Sequence, residues 1–289
     1  MSITRELKCY MDLIDDYLKT SMDHKNSYQK KIYEAMEYSL FTGGKRLRPI
    51  IALKAYEIFD ANLEKILPFA AAIEMIHTYS LIHDDLPSMD DDDFRRGKPT
   101  NHKVFGEAMA ILTGDGLLNL AFETMLNYTI NNSHSIDEYK CYVRAMEEIS
   151  IYSGTNGMIG GQVLDVLGGF ENMDELKLIY MYRTKTAGLI QASLVSGAII
   201  GGANDEYIEK LREFGLNLGL AYQIKDDILD YAEDESINKM TYLKYFDLNT
   251  CKEEVEILSK KAMDILDSFN GIDIDFFKDL TKFLINRNE

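Results

Sequence analysis

The sequence predicts an all-α protein in which residues 1–289 form a single domain. Pro occurs only 4 times among abundant helix formers, a composition that favours helices over a β-sandwich or barrel. Apolar residues recur at three- and four-residue intervals along most of the chain, which is the spacing of one helix face. No Pro- or Ser-rich linker separates these segments, so nothing in the sequence divides the chain into domains.

The helical periodicity defines the elements in order along the chain. It predicts helices over residues 7–18, 28–40, 106–130, 137–153, 174–202, 205–231, 250–269 and 273–287. Residues 68–86 are apolar on nearly every side, which predicts a helix buried in a large core and interrupted at Pro87. The Gly-rich residues 154–169 keep helical spacing and predict a kinked or closely packed helix, whereas residues 232–240 predict a polar loop.

Charge and cysteine content exclude several classes of protein. The chain has 31 Lys and Arg against 48 Asp and Glu, a net charge of −17, so a general nucleic-acid binder is disfavoured. The sequence has no uncharged apolar run of about 18 residues, which argues against a membrane span. The N-terminus is charged and amphipathic rather than signal-like, and the three cysteines lie far apart. These features predict a protein of the reducing cytoplasm.

An acidic cluster follows the buried helix over residues 68–86. Six carboxylates occur within ten residues, and the first of them lie where the apolar helix ends. Carboxylates at a core boundary are costly without a counter-charge, which disfavours a merely solvated acidic loop. Hard divalent cations such as Mg²⁺ suit oxygen-only sites of this kind. The six carboxylates are those of Asp84, Asp85, Asp90, Asp91, Asp92 and Asp93.

A second acidic cluster lies at the end of the helix predicted over residues 205–231. Asp226 and Asp230 are one helical turn apart on the same face, and Asp227 is offset from them by about 100°. The preceding segment is apolar and punctuated by glycines, which again predicts a buried helix. Two acidic clusters on two buried helices predict a shared metal and phosphate site.

Basic residues accompany the acidic clusters. They follow Gly43-Gly44, follow the first acidic cluster, or lie in a mostly uncharged segment: Lys45, Arg46, Arg48; Arg95, Arg96, Lys98; and Lys185. Each is compatible with a solvated surface cation. In so acidic a protein, paired Arg beside an Asp cluster predicts a diphosphate bound through both metal ions and guanidinium groups.

Five segments carry a resemblance to a known family. They are GGKRLRP (43–49), EMIHTYSLIHDDLPSMDDDDFRRGKPTNH (74–102), GGQVLD (160–165), KTAGLI (185–190) and YQIKDDILD (222–230). In this order they resemble the trans-isoprenyl diphosphate synthases, and among these the bacterial farnesyl diphosphate synthases (geranyltranstransferases). The resemblance implies a single-domain isoprenoid synthase fold, a helical bundle around a deep central cavity, in a homodimer.

The resemblance also implies an enzyme and its chemistry. Members of this family ionise an allylic diphosphate, and the double bond of isopentenyl diphosphate then attacks the cation. The implied function is a prenyltransferase that joins isopentenyl diphosphate to dimethylallyl and geranyl diphosphates, makes farnesyl diphosphate and releases pyrophosphate. Two or three Mg²⁺ ions in each active site are expected to stabilise the departing pyrophosphate.

The resemblance assigns roles residue by residue. The implied catalytic residues are Asp84, Asp85, Asp90, Asp226, Asp227 and Lys185. The implied metal ligands are Asp84, Asp85, Asp90, Asp226 and Asp230. The implied substrate contacts are Lys45, Arg48, His77, Arg95, Arg96, Lys185, Thr186, Gln223 and Lys239. Of these, Arg95 and Lys185 are assigned to the allylic diphosphate, Lys45, Arg48, His77 and Arg96 to isopentenyl diphosphate, and Thr186 and Gln223 to the reacting end.

Product length is assigned to Tyr79 and Ser80. On a helix, Tyr79 lies about 7.5 Å along the axis from Asp84, where a growing tail would meet its ring. In the family, bulky aromatic residues at this position accompany farnesyl products, so the resemblance implies that Tyr79 is the floor of the cavity. Two alternatives stay open: Tyr79 is an ordinary core aromatic, or the product is geranylgeranyl diphosphate.

The segment after the second acidic cluster departs from the family pattern. The family carries a Gly-Lys pair, a further Gly-x-Asp and then Lys-x-Thr-Tyr-Pro at this place. This chain keeps Lys239, Thr241 and Tyr242 but has Leu243 in place of Pro and lacks the Gly-Lys portion. The shorter loop leaves open a weakly active or non-catalytic partner subunit. A terpene cyclase is disfavoured, because those enzymes usually carry a mixed Asn/Ser/Glu second motif.

Overall fold

The computed structural model describes residues 3–22, 28–168, 173–231 and 241–287. Within these ranges the chain is all-α, as the sequence predicts, and the only strands form one short hairpin. The helices are α1 (Ile3–Ser21), α2 (Lys30–Leu40), α3 (Leu47–Glu57), α4 (Leu67–Asp84), α5 (Asn101–Phe105), α6 (Glu107–Asn132), α7 (Ile136–Ser153), α8 (Met158–Gly168), α9 (Glu175–Met181), α10 (Gly188–Gly201), α11 (Asp205–Leu229), α12 (Leu248–Asp267) and α13 (Asp275–Ile285). The strands are β1 (Phe94–Arg95) and β2 (Lys98–Pro99).

The chain divides into two compact units. The first unit consists of residues 1–53 and 62–146, and the second of residues 54–61 and 147–289. The single-domain organisation expected from the sequence stays a prediction. None of the helices in the described ranges is long and apolar enough to span a membrane.

The core of the first unit is built on α4. This helix is buried on almost every side, as its sequence predicts, and packs most extensively against α6. Pro68 lies in its first turn, where the missing N–H costs no helical hydrogen bond. The helix ends at Asp84, three residues before Pro87, so the first acidic cluster begins at the last residue of a buried helix.

The core of the second unit is built on α11. Its N-cap is Asn204, whose side chain accepts a hydrogen bond from the Tyr207 N–H (2.9 Å), and two acidic residues follow in the first turn. The helix packs against α10 and α12 and ends at Leu229, within the second acidic cluster. Each acidic cluster is therefore attached to the main buried helix of its own unit.

One element departs from the sequence prediction. The helix expected over residues 174–202 is present, but it is not a regular α-helix, because Tyr182–Ala187 form a π-helical segment between α9 and α10. Glycines on neighbouring helices allow close backbone approach there: a Cβ at Gly161 would lie 2.5 Å from Thr184 Oγ1, and one at Gly219 would lie 2.5 Å from Ala187 Cβ. Irregular helical turns of this kind are frequent at functional sites.

The hairpin of β1 and β2 and the short helix α5 were not predicted from the sequence. The hairpin turns at Arg96 and Gly97, which both have positive φ (52° and 75°), the conformation of a two-residue type I′ turn. Two-residue strands contain too few residues for an alternating pattern, so periodicity cannot detect them.

Candidate functional site

The first acidic motif is a closed turn at the end of α4. Asp84 and Asp85 are buried, at 7% and 3% exposure. The Asp90 N–H donates to the Asp84 carbonyl oxygen (2.9 Å), so the chain returns to the helix end after the Leu86–Met89 segment. The backbones of two predicted metal ligands are thereby joined, and Asp90 itself is exposed.

The hairpin places a guanidinium group on this motif. Arg95 on β1 donates through Nε to Asp85 Oδ1 (2.6 Å), and its Nη2 lies 3.3 Å from Asp92 Oδ2. Burial raises the pKa of Asp85, and the Arg95 charge acts in the opposite direction. The carboxylate of Asp85 is therefore stabilised in its charged form by a nearby cation, and Arg95 is one such cation.

A second guanidinium group lies on the glycine pair that precedes α3. Arg96, in the hairpin turn, donates through Nη1 to the Gly43 carbonyl oxygen. A Cβ at Gly44 would lie 2.5 Å from that nitrogen, and both glycines have positive φ (99° and 125°). Glycine is required at position 44 because a side chain there would displace Arg96.

Arg48 and His77 form the third basic element of the first unit. Arg48 Nη1 lies 3.4 Å from His77 Nε2. Burial, followed by the charges of Arg48 and Arg96, lowers the pKa of His77 well below its usual value. The imidazole is therefore neutral at pH 7. Lys45 is exposed at the start of the same segment.

Arg46 differs from its neighbours because it is structural. It is buried, and its guanidinium donates to Asp15 Oδ1 (2.8 Å), to Glu74 Oε1 (2.7 Å) and to the Leu40 carbonyl oxygen. Glu74 is itself buried on α4, so Arg46 is its counter-ion. Because its guanidinium is buried and all three of its nitrogens already donate to the protein, Arg46 holds the fold together, in agreement with its absence from the predicted contacts.

Tyr79 and Ser80, the predicted determinants of product length, lie on α4. Tyr79 is 6% exposed, its ring meets the ring of His83 edge-on (5.8 Å between centroids), and its hydroxyl has no hydrogen-bond partner among the described residues. Burial and the Asp84 charge raise the pKa of Tyr79 to about 12. Ser80 is half-buried and donates to the His77 carbonyl oxygen (2.9 Å).

The second acidic motif, at the end of α11, also has a guanidinium group in contact. Arg287, after α13, donates through Nη2 to Asp226 Oδ1, and its guanidinium lies 4.1 Å from the centroid of the Tyr222 ring. Burial raises the pKa of Asp226 to about 6, although the Arg287 charge opposes the shift. Asp230, one turn further on, is exposed.

Asp227 differs from Asp226 because its oxygens are already used by the protein. It is 3% exposed, and Oδ2 accepts from the Tyr182 hydroxyl and from the Tyr242 N–H (2.9 Å). Its Oδ1 accepts from Gln223 Nε2 (3.1 Å). The carboxylate thus joins the π-helical segment, α11 and the turn at Tyr242, and three donors hold it within the protein.

The π-helical segment presents the two other predicted residues of this unit. Lys185 Nζ lies 2.5 Å from Asp165 Oδ2 on α8, and Thr186 Oγ1 donates to Gln223 Oε1 (2.7 Å). Because Gln223 also donates to Asp227, its amide is fixed at both ends. The second unit therefore holds one lysine, one hydroxyl group and one oriented amide beside its acidic motif.

The carboxylates fit the hard divalent cation that the sequence predicts. The donor set of Asp84, Asp85 and Asp90 in the first unit, and of Asp226 and Asp230 in the second, offers oxygen alone, the chemistry that Mg²⁺ prefers. Burial destabilises the charged forms of Asp85 and Asp226, so both would gain from a nearby cation.

One predicted contact is outside the described residues, and two residues of the site were not predicted. Lys239 and the loop around it, residues 232–240, lie outside the described ranges. Asp165 and Tyr182 were given no role from the sequence, yet they contact Lys185 and Asp227. Arg287, which contacts Asp226, belongs to the ending FLINRN, which resembles the basic terminus that approaches the site in the family. The Asp in GGQVLD and the basic C-terminal ending were the available signals, whereas nothing in the sequence distinguished Tyr182 from a core aromatic.

Comparison with known proteins gives consistent matches. The model of the polyprenyl synthetase family matches residues 29–250. A heterodimeric geranylgeranyl pyrophosphate synthase large subunit from Arabidopsis thaliana is 44% identical over 257 residues, which is 83% of this chain and 68% of that protein. A farnesyl diphosphate synthase from Micrococcus luteus is 40% identical over 293 residues, which is 97% and 96% of the two chains. A solved FPP/GFPP synthase from Zymomonas mobilis matches with a TM-score of 0.89 at 32% identity, over 98% of each chain. These matches confirm the all-α fold class and the resemblance.

Proposed function

Because this chain belongs to the polyprenyl synthetase family and is a prenyltransferase, we propose that it condenses isopentenyl diphosphate with dimethylallyl and geranyl diphosphates to make farnesyl diphosphate. The observation that carries the proposal is common to the two acidic motifs. Each ends a buried helix, and each contains a carboxylate with a raised pKa, which is buried in Asp85 and partly buried in Asp226. Each of these carboxylates also has a guanidinium group in contact. Such groups suit the binding of a polyanion together with metal ions.

Ionisation of an allylic diphosphate is the difficult step, because pyrophosphate must leave as a polyanion. Mg²⁺, when bound, would neutralise the charge that develops on this leaving group. Asp84, Asp85 and Asp90 would hold Mg²⁺ in the first unit, and Asp226 with Asp230 in the second. We also propose that each active site binds two or three Mg²⁺ ions.

The first unit supplies diphosphate contacts that remain charged throughout the reaction. Arg48 and Arg96 keep their charge at any physiological pH, and the neutral His77 can donate one hydrogen bond without adding charge. We assign these residues, with Lys45, to isopentenyl diphosphate. Arg95 presents five donors in a planar fork, so it can contact the allylic diphosphate while it keeps its bond to Asp85.

The second unit supplies groups suited to a cationic intermediate. Thr186 gives its only hydroxyl proton to Gln223, so its oxygen offers lone pairs to any other partner. Oriented lone pairs stabilise a positive charge that develops nearby, and they require no reorganisation when it forms. Lys185, positioned by Asp165, is assigned to the allylic diphosphate.

Two product lengths are supported by separate observations. Tyr79, a buried aromatic on α4 with no hydroxyl partner in the described part of the chain, supports a cavity floor and a fifteen-carbon product. Geranylgeranyl diphosphate is the second candidate, because a geranylgeranyl synthase subunit from a plant is 44% identical to this chain.

One assay tests the proposal and separates its alternatives. Purified protein is incubated with Mg²⁺, isopentenyl diphosphate and each allylic primer in turn, and the dephosphorylated products are sized by chromatography. We expect mainly farnesol from both dimethylallyl and geranyl diphosphates. Geranylgeraniol as the main product would select the second candidate, and no elongation with any primer would identify a non-catalytic partner subunit. A homodimer and a cytoplasmic location remain predictions.

Tyr79→Ala tests the source of product length. Removal of the ring should add apolar depth, in which a further isoprene unit can be buried, and shift products to twenty carbons or more. Tyr79→Phe is the matched control, because it keeps the ring and removes only the hydroxyl. An unchanged distribution in the Ala variant would show that another residue sets the length.

A further inference from the structure

A third group of metal-ligating side chains has no part in the proposed reaction. Carboxylate oxygens of Asp91 and Asp93 and a ring nitrogen of His102 all lie within 4.8 Å of one another. The three residues are distinct from the predicted Mg²⁺ ligands of the same segment. Asp93 immediately precedes β1 and His102 follows β2, so the group is at the base of the hairpin that carries Arg95 and Arg96.

The hydrogen bonds around His102 fix its tautomer. Thr100 Oγ1 has one proton, which it donates to the Asp92 carbonyl oxygen (2.8 Å). It must therefore accept a hydrogen bond from His102 Nδ1, 3.1 Å away. With the proton on Nδ1, Nε2 of the neutral ring carries a lone pair and is the nitrogen available to a metal ion.

That nitrogen is buried and has no hydrogen-bond partner in the part of the chain that the structure describes. His102 as a whole is 6% exposed. A buried acceptor without a partner is destabilising, so an additional ligand is expected. A single water molecule can satisfy Nε2, whereas a cation can contact Nε2 and the two exposed carboxylates at the same time.

We propose that Asp91, Asp93 and His102 Nε2 form a binding site for a divalent transition-metal ion of the Zn²⁺ type. An imidazole nitrogen with two carboxylates suits Zn²⁺, whereas Mg²⁺ prefers a set of oxygen ligands. Three protein ligands leave a coordination position for water. The bound ion joins the residues on both sides of the hairpin and so restrains β1 and β2.

Lys103 limits the affinity of the site. Its Nζ lies 2.5 Å from Asp93 Oδ1, so one oxygen of that carboxylate already contacts a cation. Zn²⁺ has to share Asp93 with this ammonium group, and removal of the lysine should strengthen binding. A substitution of Lys103 should therefore raise the affinity for Zn²⁺, whereas the loss of a ligand should lower it.

Calorimetric titration with Zn²⁺ tests the proposal. It is performed with saturating Mg²⁺, which fills the oxygen-only motifs, and on a Cys9→Ser background, because Cys9 is an exposed thiol. We expect one Zn²⁺ per chain, with an affinity that falls at least tenfold in His102→Gln, falls severalfold in Asp91→Asn and rises severalfold in Lys103→Gln. His134→Gln and Asp115→Asn, two exposed residues elsewhere in the first unit, are matched controls that should bind as the parent does.

A second measurement separates metal binding from folding. Circular dichroism and thermal unfolding without metal establish that each variant is folded, and added Zn²⁺ should raise Tm in the parent but not in His102→Gln. Asp91 is exposed, so its variant tests the site even if His102→Gln unfolds. The proposal is overturned if the parent binds no Zn²⁺ under these conditions, or if the folded ligand variants bind it as tightly as the parent.

Discussion

The two acidic motifs end buried helices in the same way, but their cations come from very different places in the chain. Asp85, at the end of α4, pairs with Arg95, ten residues further on. Asp226, at the end of α11, pairs with Arg287, 61 residues further on, after α13. The first motif therefore obtains its counter-charge from a local hairpin, and the second obtains it only when the C-terminal segment has folded.

The adjacent carboxylates differ as well. In the first motif, Asp84 and Asp85 lie at the helix end, and Arg95 is the cation on Asp85. In the second, Asp227 is held by three donors from Tyr182, Tyr242 and Gln223. The Asp-Asp pair is therefore arranged differently in the two motifs. In the second motif, one of the two carboxylates stabilises the fold.

The largest expected effect follows from removing one carboxylate from either motif, because both motifs are proposed to take part in the reaction. Asp84→Ala and Asp226→Ala should each lower kcat by about 10³-fold or more, because stabilisation of the departing pyrophosphate is lost mainly in the transition state. Steady-state elongation at saturating Mg²⁺ provides the measurement. Asp137→Ala in the first unit and Asp279→Ala in the second serve as controls. Near-normal turnover in either motif variant would mean that its motif is not part of the reaction.

The difference between Asp227 and Asp85 should appear in stability. Asp227→Ala leaves buried donors without a partner, so the free energy of unfolding should fall by about 3 kcal/mol. Asp85→Ala should cost less than half of this, because Arg95 is partly exposed and can turn to solvent. Urea unfolding without Mg²⁺ measures both. Equal losses would contradict the structural role given to Asp227.

Arg48 of the first unit and Lys185 of the second should also differ in the substrate that each one binds. Arg48→Ala should raise the KM for isopentenyl diphosphate more than that for the allylic primer, and Lys185→Ala should do the reverse. A charge-assisted contact contributes about 1.5–3 kcal/mol, so changes of about ten- to a hundredfold are expected. Lys98→Ala, an exposed lysine on β2, is the control for loss of positive charge. If both variants affect both substrates equally, the assignment is wrong.

The smallest expected effect concerns His77. Its pKa lies well below the usual value, so the ring should stay neutral as the pH falls through about 6.5. Its NMR ring signals, assigned with His77→Asn, should therefore not shift between pH 8 and 6. Because the folded pKa is below the unfolded one, the stability contributed by the neutral ring is complete above about pH 6.5 and is lost as the pH falls further. A titration between pH 6 and 7 would show that Arg48 and burial do not control this ring.

The sequence predicted the features that depend on periodicity and composition. The burial of α4 on all sides, its end near Pro87 and the buried α11 follow from the distribution of apolar residues. The sequence did not predict the π-helical segment, because the backbone approach that Gly161 allows depends on a neighbouring helix.

Contacts between residues far apart in the chain could not be predicted from the sequence either. Asp226 and Asp227 are adjacent and chemically identical, and they differ only because α11 turns one toward Arg287 and the other toward Tyr182. Periodicity places both on a buried helix, but it cannot say which donors the rest of the chain will bring there. Asp165 was likewise visible in its motif, and only the fold shows that it contacts Lys185.

The two-residue turn at Arg96 and Gly97 has a consequence for how this segment can change in evolution or design. Successive residues of a strand point to opposite faces, so one residue inserted before Arg95 in β1 would turn its side chain away from Asp85. Substitutions between Asp85 and Thr100 keep this spacing, whereas insertions and deletions do not. Alignments and mutant libraries that include these residues should therefore hold the length of the segment fixed and vary only its composition.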